Sequence, residues 1–293
     1  MLPGEYARAY GLKEYSDLEE MMAAEDLDAV ALCTRHTQHA QWVQRVARHG
    51  KDIFIAKTFV TTLADADRIL AAERENRIRI AVGPSARFLP WFVAAKKALD
   101  GGRIGVPFSL RICHHHGTID VFHPEDFYRE PAEGGPELSL GWYMVDLVLQ
   151  FLQRPVERVS ANYGTFTTPG SPFMDCGKLS LCMAGGALAS CDMYFCNRFE
   201  FPSWEMELVG EKGALLVRQS CGAGKETSVV LLTAGGRKQL SLPARAPHWE
   251  LFWIDELRGS GAPSLTAGYA REVTRVCLAA RDSARRGKTV VLR

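Results

Sequence analysis

Two rhythms of apolar positions divide the chain. Up to about residue 82, short unbroken apolar runs alternate with stretches of helical spacing. Asp28-Ala-Val-Ala-Leu-Cys33 is such a run, as expected of a strand covered on both faces. Ser16-Asp17-Leu18-Glu19 ahead of it is a capping-box pattern and predicts a helix from there. A helix is predicted from about Gln38 to Arg48, stopped by Gly50. Asp52-Ile-Phe-Ile-Ala56 is the next strand, Thr62 caps a helix running to about Asn76, and Arg77 to Val82 is a third strand. Strands and helices that alternate through short joins need right-handed crossovers and a parallel sheet. This is half of a doubly wound fold.

Beyond that point the rhythm changes. A helix over about Trp91 to Leu99 ends at Gly101-Gly102, a strand covers Pro107 to Cys113, and an apolar helix covers about Leu138 to Phe151. Seven strand-like runs follow: Val156–Thr167, Lys178–Met183, Ala187–Cys196, Glu205–Val209, Ala214–Arg218, Ser228–Thr233 and Lys238–Leu242. Gly185-Gly186, Glu211-Lys212-Gly213 and Gly235-Gly236 punctuate them as hairpin turns. Two helices, about Trp249–Arg258 and Ala267–Arg285, and a short strand Thr289–Leu292 end the chain. The expected architecture is therefore α/β followed by α+β. An incomplete parallel-sheet domain (residues 1–88) precedes a domain built on a large, mostly antiparallel sheet (residues 89–293).

Composition narrows the function class. With 293 residues, 47% hydrophobic and 24% charged, the chain is that of a globular protein. Its 35 basic and 34 acidic residues leave a formal charge of +1, with no electrostatic reason to expect nucleic acid or a membrane surface as partner. The basic run Arg281 to Arg286 ends a helix, where cations complement the dipole and face water. No apolar stretch approaches the roughly 20 residues that span a bilayer. The first residues lack the basic and apolar regions of a signal peptide. None of the eight cysteines forms a C-x-x-C pair, so they read as reduced thiols of a cytoplasmic protein.

Several segments, taken in order, carry a resemblance. Asp28-Ala-Val-Ala-Leu-Cys-Thr34, with His39 five residues on, is similar to a D-x-V-x-I-x-T-P…H strand and loop. Gly50-Lys51-Asp52-Ile53-Phe54-Ile55-Ala56-Lys57-Thr58 resembles G-K-x-V-x-x-E-K-P. Val82-Gly83…Arg87-Phe88-Leu89-Pro90 resembles G…R-F-x-P, and Gly102-Arg103-Ile104-Gly105 resembles G-x-I-G. Gly134-Gly135 followed by Gly141-Trp142-Tyr143-Met144-Val145-Asp146 is similar to G-G…D-x-G-x-H-x-x-D. Gly210-Glu-Lys-Gly213 and Ser283-Ala284…Gly287-Lys-Thr-Val290 fit the same tail. Together these resemble the Gfo/Idh/MocA family over nearly the whole chain.

The resemblance implies a Rossmann-type first domain, NAD or NADP as cofactor, and a sugar, cyclitol or related polyol as substrate. It also implies a homo-oligomer formed through the open face of the second domain's sheet. In that family the E-K-P lysine touches substrate hydroxyl and nicotinamide ribose, while the Asp and His of D-x-G-x-H bind substrate and exchange its proton. Here the lysine is Lys57, the Asp position is Ser139, the His position is Tyr143, and the following aspartate is Asp146. Thr34, His39 and Arg87 join Lys57 as the implied cofactor contacts.

The residues themselves carry readings of their own. Lys57 follows a buried strand at the carboxyl edge of a parallel sheet, where ligands of such folds bind. Tyr143 replaces an acid/base only if a cation such as Lys57 lowers a phenol pKa that starts near ~10; otherwise it is a packed amphipathic tyrosine. Ser139 is limited to hydrogen bonding. Asp146, three residues from Tyr143, orients substrate or pairs with an arginine. Arg87 contacts ligand or forms a structural ion pair. In His114-His115-His116, strand alternation puts His114 and His116 on one face. Sequence places no carboxylate or cysteine to complete a metal set with them, so no metal is expected. His116, with His123 and Asp126 in the adjoining loop, is instead taken to line the cleft and meet substrate. Trp249, Phe252 and Trp253 have helical spacing and are assigned to packing.

A dinucleotide fold also places G-x-G-x-x-G at its first strand–helix turn and an acidic residue at the end of its second strand. Neither occurs, and Gly222-Ala-Gly224 and Gly185-Gly186 lie among antiparallel strands. Glu5 to Tyr15 look like the helix after the second strand, so Met1 is expected to begin beyond the phosphate turn. Two readings follow: an N-terminally truncated oxidoreductase, or a catalytically degenerate homologue serving as a ligand-binding or assembly partner.

Overall fold

The computed structural model describes residues 3–83, 85–117, 129–197, 201–220, 226–244, 252–255, 258 and 266–292. His123, Asp126, Cys221, Gly222, Gly224 and Trp249 lie outside the described residues.

Helices α1 (Pro3–Tyr10) and α2 (Leu18–Ala24) lead into β1 (Ala29–Leu32), α3 (His39–Ala47), β2 (Asp52–Ala56), α4 (Leu63–Asn76) and β3 (Ile80–Gly83). The three strands form a parallel sheet in the order β1-β2-β3. Ile53 and Ile55 are fully buried, as the unbroken apolar run requires. Two boundaries differ from the sequence reading. The N-cap of α2 is Asp17 rather than Ser16, its Oδ1 accepting from the amides of Glu19 (2.8 Å) and Glu20 (3.2 Å). Strand β3 starts three residues late because Arg77 closes α4 in the left-handed region (φ +55°), its amide donating to the Glu73 carbonyl.

The second part comprises α5 (Pro90–Asp100), β4 (Pro107–Gly117), α6 (Gly135–Leu152), β5 (Val156–Gly164), β6 (Cys176–Met183), β7 (Leu188–Asn197), β8 (Pro202–Gly210), β9 (Gly213–Ser220), β10 (Thr227–Thr233), β11 (Gly236–Gln239), α7 (Ala267–Arg286) and β12 (Val290–Val291). The strands make one sheet in the order β11-β10-β9-β8-β4-β7-β6-β5-β12, parallel only where β4 meets β7. The three glycine turns fall where expected, between β6 and β7, β8 and β9, and β10 and β11. Strand β4 runs four residues past its predicted end and carries all three histidines of His114-His115-His116.

Alternation gives this sheet two faces. Leu110, Ile112, Leu181, Ala189, Met193, Met206 and Leu208 are buried on the face that α6 and α7 cover. Arg111, Lys178, Leu188 and Arg218 point the other way and are exposed. Helix α6 is apolar almost all round, and Trp142 and Phe151 on it are fully buried. Burial of side chains this large contributes about 1.5–3 kcal/mol each. Helix α7 packs on α6 and β5 and also on α4 and β3, so it touches the cores of both sheets. Trp142 Nε1 donates to Thr274 Oγ1 on α7 at 3.2 Å, which satisfies an indole N–H that would otherwise be buried unpaired.

Candidate active site

Strand β2 ends at Ala56, and Lys57 leaves its carboxyl end toward α6. Lys57 Nζ donates to Ser139 Oγ at 2.7 Å and lies 4.3 Å from the centroid of the Tyr143 ring. Ser139 and Tyr143 are one helical turn apart and so share a face of α6. The structure thus brings together three of the residues singled out from sequence, with the Lys57 ammonium over the face of the Tyr143 ring. Ser139 is buried, with Lys57 as a hydrogen-bond partner.

Inner-face residues of β4 form the opposite wall. His114 stacks on Trp204 (3.7 Å between centroids) and meets Tyr143 edge-on (6.1 Å). His116 stacks on Phe195 (4.9 Å) and meets His114 edge-on (5.8 Å). Burial pushes the His114 pKa down to about 3, and the charge of Lys57 acts in the same direction. His116 is lowered too, by burial first and by Lys57 as well. Both imidazoles are therefore neutral near pH 7, free of a like charge beside Lys57.

Two hydroxyls at the same strand ends have no hydrogen-bond partner among the described residues: Thr34 Oγ1 after β1 and Thr58 Oγ1 after β2. An unpaired buried hydroxyl costs about 1–3 kcal/mol. Such groups at the carboxyl edge of a parallel sheet are unspent capacity on the side where ligands of these folds bind.

Other expected contacts are turned inward. The His39 ring is fully buried, Nδ1 lying 2.7 Å from the Phe59 carbonyl and Nε2 3.1 Å from that of Thr34. Both ring nitrogens face backbone carbonyls, one in the loop after β1 and one in the loop after β2, and the neutral imidazole donates to one of them. Arg87 and Asp146 take the ion-pair alternative. Arg87 Nε donates to the two Asp146 oxygens at 3.0 and 2.9 Å, and Nη2 adds a bond to Oδ1. Tyr269 Oη donates to Asp146 Oδ1 at 2.8 Å, and its ring lies 4.7 Å from the guanidinium. Asp146 has no exposed side-chain surface, which removes it from the expected substrate contacts.

Sequence reasoning missed a second tie between the sheets. His36 Nδ1 donates to the Glu133 carbonyl at 3.0 Å, the Thr37 amide donates to Glu133 Oε2 at 3.3 Å, and Thr37 Oγ1 donates to Oε1. Glu133 is buried just ahead of α6, so this contact fixes the helix that carries Ser139 and Tyr143. Burial pushes His36 down to about 4. The available signal was a second histidine three residues before His39; its partner is 97 residues away.

The basic C-terminal run meets the expectation at its end, where Arg285 and Arg286 in the last turn of α7 are exposed, and departs from it at Arg281. Arg281 is only 34% exposed and lies 3.9 Å from the buried Glu137. It lines a cavity of about 520 Å³ with Tyr163, Met174 and Leu278. This cavity does not include Lys57.

A parallel sheet of the dinucleotide-binding type, presenting its strand ends to the inner face of a large mixed sheet, defines the class: a two-layer nucleotide-fold protein with a lysine-centred cleft. Family models agree with both halves. The oxidoreductase family with NAD-binding Rossmann fold matches residues 4–84, and the GFO/IDH/MocA C-terminal domain matches residues 92–216. The chain belongs to the Gfo/Idh/MocA oxidoreductase family.

The chain is 26% identical over 299 residues to the D-apiose dehydrogenase of Paraburkholderia graminis, covering 98% of this chain and 79% of that protein. It is 40% identical over 102 residues to the inositol 2-dehydrogenase of Rhizobium meliloti, covering 34% of this chain and 30% of that protein. The chain thus spans less than half the length of some curated relatives it matches. A crystal structure of an oxidoreductase from Agrobacterium radiobacter with NAD+, L-tartaric acid and magnesium is similar in fold, with a TM-score of 0.85 and 22% identity. That match covers 98% of this chain and 87% of that one.

Proposed function

We propose that this protein is an NAD(P)-dependent oxidoreductase acting on a sugar, cyclitol or related polyol. The observation that carries the reading is the Lys57 ammonium held between Ser139 Oγ and the Tyr143 ring, at the carboxyl end of a parallel strand. The unpaired Thr34 and Thr58 hydroxyls fit a nicotinamide ribose and amide at those strand ends. When bound, the nicotinamide supplies a hydride donor or acceptor at a ring carbon.

The remaining chemistry belongs to the chain's own groups. Lys57 stabilises the substrate oxygen at which charge develops. Tyr143 exchanges the hydroxyl proton beside that cation, and Ser139 and the neutral His116 orient neighbouring hydroxyls. The division of labour follows residues 1–88 for the cofactor and 89–293 for the substrate. The open face of the large sheet is the surface through which copies associate. Relatives named as D-apiose and inositol dehydrogenases support the polyol class.

The test is a panel of aldoses, cyclitols and other polyols offered with NAD+ and NADP+, following absorbance of the reduced nicotinamide. Turnover that Lys57→Met lowers by roughly 10²–10³-fold supports the reading. One observation favours a second reading: the α6 positions facing Lys57 are a serine and a tyrosine, where the family pattern has an aspartate and a histidine. Saturable polyol binding by calorimetry, without nicotinamide reduction by any member of the panel, would replace the enzyme with a ligand-binding homologue.

A further inference from the structure

On the open face of the large sheet, away from the Lys57 cleft, β4 carries a cysteine and a histidine two residues apart. Alternation puts Cys113 and His115 on one face, and Cys113 Sγ lies 3.0 Å from His115 Nε2. Strand pairing sets Cys113 opposite Glu205 on β8 and opposite Asp192 on β7. The ligand atoms of Cys113, His115 and Glu205 all lie within 4.8 Å of one another.

We propose that Cys113, His115 and Glu205 bind a divalent transition-metal ion of the zinc class. Thiolate, imidazole and carboxylate are the three donor types such an ion takes, at about 2.0–2.3 Å each. Donors around one tetrahedral ion then stand roughly 3–4 Å apart, so side-chain shifts of about 1 Å complete the set. The histidine is already aimed. Its ring is held flat between Tyr194 (4.7 Å, 14°) and Phe201 (4.6 Å, 15°), as outer partners hold the ligands of built sites.

Neighbouring charges leave the donors available in unequal degree. Asp192 is engaged by Lys178 at 2.9 Å, so the fourth position falls to water. Arg218 stands 3.7 Å from one oxygen of Glu205, a loose contact that leaves the carboxylate able to turn. Burial, seconded by the two carboxylates, pushes the Cys113 thiol up to about 12, so the metal-free thiol keeps its proton. Binding exchanges that S–H bond for a sulfur–metal bond and releases the proton to solvent. The bound ion would clamp β4 to β8, and the clamp owes nothing to catalysis at Lys57.

Cobalt(II) titration of the reduced, metal-stripped, untagged protein tests this. A thiolate-to-cobalt charge-transfer band saturating at one ion per chain, bleached by zinc(II), is the expected result. Cys113→Ser should remove the band, and His115→Gln and Glu205→Gln should each weaken cobalt binding at least about tenfold. Cys176→Ser and Cys196→Ser should leave it intact, and far-ultraviolet dichroism checks that every variant is folded. Absence of the band, or a band that survives Cys113→Ser, overturns the proposal, as does unchanged affinity in both His115→Gln and Glu205→Gln.

Discussion

Lys57 Nζ and Ser139 Oγ, 82 positions apart in sequence, stand 2.7 Å from one another and join the end of the parallel sheet to the helix that roofs the large one. Replacing Lys57 by methionine keeps the stem and removes the charge. The expected outcome in a steady-state assay is a fall in kcat/KM of roughly 10²–10³-fold, the scale for losing one group that stabilises a developing oxyanion. Ser139→Ala leaves the ammonium in place and should cost less.

Tyr143→Phe separates proton transfer from packing. The ring and its contact with Lys57 remain while the hydroxyl is lost. Turnover should drop by roughly 10²-fold with substrate affinity little changed. Equal kcat in the two proteins would assign Tyr143 to packing alone.

Arg87 and Asp146 form a buried pair whose members are each costly without the other. Arg87→Met or Asp146→Asn should destabilise the fold by about 3–5 kcal/mol in denaturant titrations, because a charge is left uncompensated. The double variant Arg87→Met/Asp146→Asn should lose less than the two single costs added together. Additive losses would mean that the pair is not the reason for its own burial.

Stability should fall in mild acid. His36 and His114 have folded pKa values pushed down to about 4 and about 3, from an ordinary 6.5. Below 6.5 the unfolded chain takes up protons that the folded chain refuses, so stability is complete above that pH and declines as pH drops. The His36 share of the decline ends near pH 4 and the His114 share near pH 3. Urea midpoints measured from pH 7 to pH 4 should trace this slope, and His36→Asn should flatten it.

A Cβ added at Gly213 would stand well inside contact distance of the Leu232 carbonyl oxygen. That neighbour is backbone held in the β9–β10 pairing, so Gly213→Ala should cost about 1–3 kcal/mol through forced displacement. Gly186 has φ +83° and open space around it, so Gly186→Ala should cost only about 1 kcal/mol from its backbone conformation. Thermal melts of the two variants give the comparison.

Much of this fold is legible in the chain because local rules set it. The apolar runs of β1 and β2, the Thr62 cap and the glycine hairpins each depend on a few adjacent residues. Alternation alone put His114 and His116 on one face of β4. Partnerships across sequence distance were not readable. Nothing local distinguishes an Asp146 that meets substrate from one that meets Arg87, and Glu133 carries no mark of its bonds to His36 and Thr37. Cys113 and His115 stand adjacent in the pattern, yet the carboxylate beside them comes from register with β8. The position of Lys57 was legible because a strand's carboxyl end is a place, whereas the ring above it depended on how two sheets dock.

Helix α7 follows α4, β3, α6 and β5 in the chain and packs on all four. On the ribosome, then, neither sheet has its full cover until the residues around 267–286 have left the exit tunnel. The order of synthesis and the order of burial are at odds here, and the apolar faces of α4 and β5 must wait. A chain stalled before that helix presents two unfinished cores at once, a natural substrate for the chaperones that hold nascent polypeptides.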